Sequence, residues 1–145
     1  MPYFAFNKEL WEYGQKIEDI ALPICNDIFD CDFKKNENDI FDIIDFKDYD
    51  KKIMCEIKGR KFNHDKYEDT IVTAIKVMTG YQYIDEGWSV YFIFVFKDKM
   101  FKYQLKEDAS LKCRWTGTNG VKHYLIPIAE CEEIDGVDEE MIRVD

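Results

Sequence analysis

The stretch Phe41-Asp42-Ile43-Ile44-Asp45-Phe46, a polar turn, and then Ile53-Met54-Cys55-Glu56-Ile57-Lys58-Gly59-Arg60 decides how the chain is read. Both runs have the apolar, β-branched make-up of strands, and Lys47-Asp48-Tyr49-Asp50-Lys51-Lys52 between them is rich in turn formers, so the pair predicts a β-hairpin. Asp42, Asp45, Glu56 and Lys58 interrupt runs that would otherwise be buried. Ionised groups there are costly unless they pair or hold a metal. Alternate residues of a strand share a face, so Glu56 and Lys58 point one way while Ile53, Cys55 and Ile57 point the other. An even loop around Tyr49-Asp50 sets residue 45 opposite residue 54, on the Glu56 face and diagonal to it; an odd loop sets Asp42 opposite Glu56. Asp45 is the preferred partner, with Asp42 the alternative near the solvated start of the strand.

An Asp, a hairpin and then Glu-x-Lys on the following strand resembles the PD-(D/E)xK nuclease superfamily. The motif stands here as Asp45 (or Asp42), Glu56 and Lys58, and the Pro is absent, with Ile44 before Asp45 and Phe41 before Asp42. The surrounding elements follow the same order over roughly residues 7 to 128. Asn7 caps a helix with Leu10, Tyr13, Ile17, Ala21 and Ile24 at helical spacing, bent or restarted at Pro23. Gly14-x-x-x-Glu18 looks like the first-helix element whose Glu reaches the metal in that superfamily; the competing reading is a solvated Glu18. After the hairpin, Asp69 or Thr70 caps a helix over Ile71 to Thr79 with Gly80 as its stop, and Ile71, Val72, Ile75 and Met78 form its packing face. Lys76 beside that face is similar to the site-directed Lys of small viral and phage members, against a snorkelling surface Lys.

Trp88 to Phe96 is nearly all apolar and reads as a strand buried on both faces. Met100 to Leu105 alternates as a half-exposed partner, and Tyr124 to Ile128 is a short last strand that Pro127 marks as an edge. The fold class expected is α/β (α+β): a mixed central β-sheet flanked by helices, with the restriction-endonuclease-like core that the resemblance implies. Residues 1–128 form a single nuclease-like domain and 129–145 an acidic C-terminal segment. A chain of 145 residues can bury about 70% of its unfolded surface, enough for one core.

The formal net charge is −10, which argues against an obvious nucleic-acid binder. The charge is uneven. Residues 1–60 carry nine Lys or Arg against fourteen Asp or Glu, residues 61–128 ten against eight, and residues 129–145 one against eight. Much of the acidity is therefore a tail, and non-specific DNA binding should be weak and salt-sensitive. No run suffices for a membrane span and no signal-peptide pattern opens the chain, so a soluble intracellular protein, of cytoplasm or nucleus, is expected. The five cysteines lack CxxC spacing and read as free thiols in a reducing compartment; two histidines at no useful spacing offer no zinc site.

Two adjacent carboxylates resist joint ionisation, and a hard divalent cation removes the conflict; oxygen ligands select Mg²⁺ or Mn²⁺. Such a cation lowers the pKa of bound water from about 15.7 toward about 7. The resemblance implies Asp45, Glu56, the Ile57 carbonyl and Glu18 as metal ligands, with Asp45 (or Asp42), Glu56, Lys58 and Lys76 as the catalytic set. Lys58 would orient the attacking water or stabilise the pentacovalent phosphorus. Arg60, on the Glu56–Lys58 face if the strand persists, is a candidate phosphate contact, and Lys61 and Arg114 are further substrate-binding candidates. The expected activity is a Mg²⁺- or Mn²⁺-dependent deoxyribonuclease acting on DNA, with RNA as the alternative substrate and a homodimer compatible with it. Two rivals are an inactive relative serving as a binding or regulatory module, marked by Lys58 salt-bridged to Glu56, and an ordinary α/β interaction protein whose hairpin charges merely pair.

Overall fold

The computed structural model of the protein describes residues 7–35, 44–107, 110–116 and 120–144. Helix α1 runs over Lys8–Phe29, and Asn7 caps it by accepting from the Leu10 amide at 3.1 Å. Ile17, Ala21 and Cys25 recur every four residues and are fully buried. Pro23 does not restart the helix: it lies within one continuous element. The bond it forfeits is to the Asp19 carbonyl, and both residues lie on the exposed side, where water can serve that carbonyl.

Strands β1 (Lys34–Lys35), β2 (Phe46–Asp48) and β3 (Ile53–Gly59) follow, then β4 (Asp69–Thr73), helix α2 (Ala74–Asp85), β5 (Ser89–Val95) and β6 (Met100–Gln104). The chain closes with β7 (Lys112–Thr116), β8 (Val121–Pro127), a 3₁₀ turn at Ile128–Glu130 and β9 (Glu132–Glu133). The larger sheet has the order β1-β2-β3-β5-β6-β9, and the smaller has the order β4-β8-β7. Among the described residues, only β3 and β5 pair in parallel, so the larger sheet is mixed. A parallel pair needs a long crossover, and β4 with α2 supplies it.

The fold is therefore the mixed α/β class that the sequence predicts. Its two apolar clusters follow the period-two alternation of the central strands. Cys55 and Ile57 of β3 and Ile93 and Val95 of β5 pack with Ile17, Ala21 and Cys25 of α1. Met54 of β3 and Val90, Phe92 and Phe94 of β5 pack with Val72, Val77 and Ile126. Glu56 and Lys58 alternate in step with Met54 and so belong to this second face.

Several elements differ from expectation. The helix expected from Ile71 begins at Ala74, after a strand; Ile75 and Met78, expected on its packing face, are 63% and 58% exposed. Asp69 and Thr70 thus open a strand, and Gly80 is a buried residue within α2 rather than its stop. The Pro127 strand is the middle strand of the smaller sheet, and proline is tolerated because it ends that strand. Lys112 to Thr116 is a strand that the sequence did not announce. Of the first hairpin strand, residues 41–43 lie outside the described residues. The acidic C-terminal segment contributes β9 and buries Ile134 and Ile142 in the α1-side cluster. Among the described residues, no helix is long and apolar enough to cross a membrane.

Candidate functional site

The hairpin turn is held by one carboxylate. Asp48 Oδ1 accepts from the amides of Asp50 (3.0 Å) and Lys51 (3.1 Å), while Oδ2 accepts from the Asp32 amide (3.0 Å). These backbone donors, Asp32 first, hold the Asp48 carboxyl below the usual range. Lys52 takes the left-handed conformation that closes the turn, with φ 54°. The resulting ladder pairs Phe46 with Cys55, Lys47 with Met54 and Asp48 with Ile53. Carried one step further, this register sets Asp45 opposite Glu56. The parity is the one expected for Asp45, but the pairing is two residues along from the 45–54 match.

Asp45 precedes β2, so its side chain rather than its backbone meets β3. Its Oδ2 accepts from the Ile57 amide at 2.8 Å. The Asp45 carboxyl also contacts the carboxyls of both Glu56 and Glu18 at hydrogen-bonding range. Glu56 is 2% exposed. Its Oε2 lies 2.9 Å from Lys76 Nζ and its Oε1 lies 3.9 Å from Lys58 Nζ. Despite the ion pair, the buried Oε2 accepts no well-directed hydrogen bond.

Burial, then the Asp45 charge, pushes the Glu56 carboxyl well above its ordinary range. Burial and Asp45 likewise raise Glu18 to about 7, with Lys35 opposing. Glu18 also accepts from Gln15 Nε2 at 3.2 Å. Burial, with Lys76 adding to it and Glu56 opposing, lowers the Lys58 ammonium pKa. Glu56, Glu18 and Lys58 are each driven toward their neutral forms, as expected of charges gathered in a poorly hydrated place.

Of the residues singled out in the sequence, Asp45, Glu56, Lys58, Lys76 and Glu18 are brought together. Ile57 joins them through its amide. Because a strand residue's N–H and C=O point to the same edge, its carbonyl also faces the edge that β2 leaves open. Asp42 lies outside the described residues. Arg60 is turned inward: Nε donates to Thr70 Oγ1 at 3.0 Å and an Nη donates to the Ile71 carbonyl at 2.5 Å, bracing β3 against β4. Lys61 sits 4.6 Å over the Tyr13 ring, in a different groove from Lys58. Arg114 is exposed on β7, opposite His123 of β8.

Lys58, Arg60, Arg114 and His123 line a groove of about 790 Å³ between the two sheets, with Phe62 and Tyr67 at its side. His123 was not legible as a site residue, because nothing in its spacing sets it across from Arg114 until the β7–β8 register is known. Among the described residues, three ligand-type side chains with all ligand atoms within 4.8 Å of one another occur at His64, Asp65 and Asp98. The Glu18–Asp45–Glu56 set is more open, its contacts running through Asp45. Asp98 is taken up by His64, accepting from its amide at 2.9 Å and meeting its Nδ1 at 2.5 Å, which ties two loops together.

Fold and site together define a mixed α/β domain with a buried carboxylate–lysine cluster at the open edge of a hairpin. Compared with protein families, curated proteins and solved structures, the chain finds no match in any of the three.

Proposed function

We propose that the protein is a divalent-cation-dependent nuclease of the PD-(D/E)xK kind, hydrolysing phosphodiester bonds in DNA or, as the alternative substrate, RNA. The observation that carries this reading is the meeting of Asp45 with Glu56 across the hairpin, beside two lysines and with Glu18 adjoining. The donor set suits a hard cation: it consists of carboxylate oxygens, one of them buried without a proper hydrogen bond, and a strand carbonyl at an open edge. Asp45, Glu56 and the Ile57 carbonyl would hold Mg²⁺ or Mn²⁺, with Glu18 as a further or water-mediated ligand. Bound there, the cation would activate water and offset charge on the phosphate.

The chain's own groups have separable tasks in this reading. The Ile57 amide fixes the Asp45 carboxylate, so that its orientation does not depend on substrate. Lys76 favours the ionised form of Glu56. Lys58 is half-buried and lines the groove, where its Nζ can bind a non-bridging phosphate oxygen. Burial lowers its pKa, so that it also gives up a proton more readily than an exposed lysine. The free thiols fit a protein of a reducing, intracellular compartment.

The test is cleavage of DNA and RNA by purified protein with Mg²⁺ or Mn²⁺, against Glu56→Gln and Lys58→Ala. Each variant should lose about 10²-fold or more in rate, the scale of removing a preorganised charge contact. Equal rates in wild type and both variants would assign the cleavage to a contaminant and remove the reading. A second reading is favoured by one observation: Lys58 and Lys76 both pair with Glu56, as a binding module with no cutting role would have it. Nucleic-acid binding without cleavage under any divalent cation would select it.

A further inference from the structure

We infer that the groove between the two sheets takes a single nucleic-acid strand, with its phosphates along Lys58, Arg114 and His123 and a base stacked on Tyr67. The inference rests on the nuclease reading for which end of the groove reacts, but its test reads binding alone. The lining is unlike the rest of the molecule. Its basic side chains, Lys58, Arg60 and Arg114, outnumber its carboxylates, Glu68 and Asp69, in a chain of net charge −10. Arg114 and His123 are direct cross-strand partners, so their side chains leave the smaller sheet on one face, the face that lines the groove. Lys58 faces them from the larger sheet. A strand passing between the sheets would meet donors from both sides.

Two features favour one strand over a duplex. First, the reacting end is recessed: Glu56 is 2% exposed and the Lys58 side chain 24%. The groove has the volume of a small-ligand cleft, about 790 Å³, sized for a few nucleotides rather than for paired strands. Second, an aromatic surface borders the cations. Tyr67 is 55% exposed, and Phe62 stands perpendicular to it with ring centroids 5.2 Å apart, fixing its orientation from the protein side. Lys66 Nζ lies over the Tyr67 ring, 5.5 Å from its centroid, and over the Phe62 ring at 5.7 Å, adding a cation to this aromatic pair. A basic groove that tracks the backbone, bordered by an aromatic that accepts any base, is how single strands are bound without regard to sequence.

The experiment is fluorescence anisotropy with a labelled 15-nucleotide oligo(dT), the matching oligo(U), and a 15-base-pair duplex, in EDTA and at low salt. Oligo(dT) or oligo(U) should bind at least ten-fold more tightly than the duplex, and the ratio of the two assigns DNA or RNA. Tyr67→Ala should weaken strand binding by about 5- to 150-fold, the range measured for losing one stacked base. Arg114→Ala should weaken it and reduce the slope of log K against log salt by about 0.7, one phosphate's worth. Tyr49→Ala, an exposed tyrosine outside the groove, should change nothing. Thermal melts of the variants check folding. Equal affinity for duplex and strand, or wild-type affinity in both Tyr67→Ala and Arg114→Ala, would overturn the inference. Equal affinity for duplex and strand, with cleavage retained in the separate Mg²⁺ or Mn²⁺ assay, would sink it and leave the nuclease reading standing; Tyr67-dependent strand binding in EDTA with no cleavage in that separate assay would do the reverse.

Discussion

Glu18 is the member of the cluster whose titration is easiest to observe. Its carboxyl is raised to about 7 by burial and by Asp45, against 4.5 for the ordinary group. Below about pH 4.5 both folded and unfolded chains hold this proton. Between 4.5 and 7 the unfolded chain releases it while the folded one keeps it, so this group's contribution to stability falls as pH rises through that window and levels off above it. Glu18→Gln removes the effect. In metal-free buffer its melting temperature should exceed that of the wild type at pH 8 and converge with it at pH 5. Added Mg²⁺ or Mn²⁺ should raise the wild-type melting temperature more at pH 8 than at pH 5, because cation and proton compete for the same acids. A difference between variant and wild type that does not change with pH would contradict the environment described here. At this scale the site was largely legible in the sequence: alternation puts Glu56 and Lys58 on one face, and a strand-borne acid must find a partner. The choice between Asp42 and Asp45 depended on loop parity, which only the Phe46–Cys55 register supplies.

At the scale of elements, α1 carries Glu18 to the hairpin, and it can do so because Gly59 lets it approach β3. A Cβ on Gly59 would lie 2.9 Å from Tyr13 Cε1 and 3.0 Å from Ile17 Cγ1. Ile17 adjoins Glu18, so a side chain there pushes the helix away from the site. Gly59→Val should destabilise by about 1–3 kcal/mol through overpacking and weaken the divalent-cation shift in melting temperature more than that loss alone explains. Gly14→Ala is its counterpart. A Cβ there meets nothing within 4 Å, so the substitution should stabilise α1 by about 0.5–1 kcal/mol and leave the cation response intact. If Gly59→Val lost stability yet kept full cation binding, the proposed placement of Glu18 would be unnecessary. Elements were less legible than residues. Ile71-Val72 and Ile75 with Met78 satisfy a helical spacing, yet the β-branched Thr70 to Thr73 run pairs with β8 and the helix starts at Ala74. Periodicity cannot separate the two when the run is short and its partner strand lies fifty residues on. Strand β7 escaped for the opposite reason: Lys112, Cys113, Arg114 and Trp115 are all exposed, so no apolar alternation marks it.

At the scale of the molecule, charge and core are distributed in a way that composition conceals. The acidic C-terminal residues look like a solvated tail, but Ile134 and Ile142 are 4% and 2% exposed against the α1-side cluster. The Ile134 amide donates to the Met100 carbonyl at 2.8 Å, and β9 closes the edge of the larger sheet beside β6. Carboxylates on either side of two buried isoleucines dominate any window average, so the anchors were not visible as such. The segment's Glu139 and Glu140 border the groove that holds Lys61, and that groove shares no lining residue with the one that holds Lys58. These two carboxylates of the acidic segment thus border a groove other than the one proposed to bind nucleic acid. Ile134→Ala and Ile142→Ala should each cost about 2–5 kcal/mol, the range for truncating a fully buried isoleucine, lowering the melting temperature by about 3 °C per kcal/mol for a chain of this size. A merely appended tail would give changes within about 0.5 kcal/mol. Because the two grooves are separate, the variants that remain folded should keep the proposed preference for a single strand at temperatures below their melts, which separates support of the fold from support of the site.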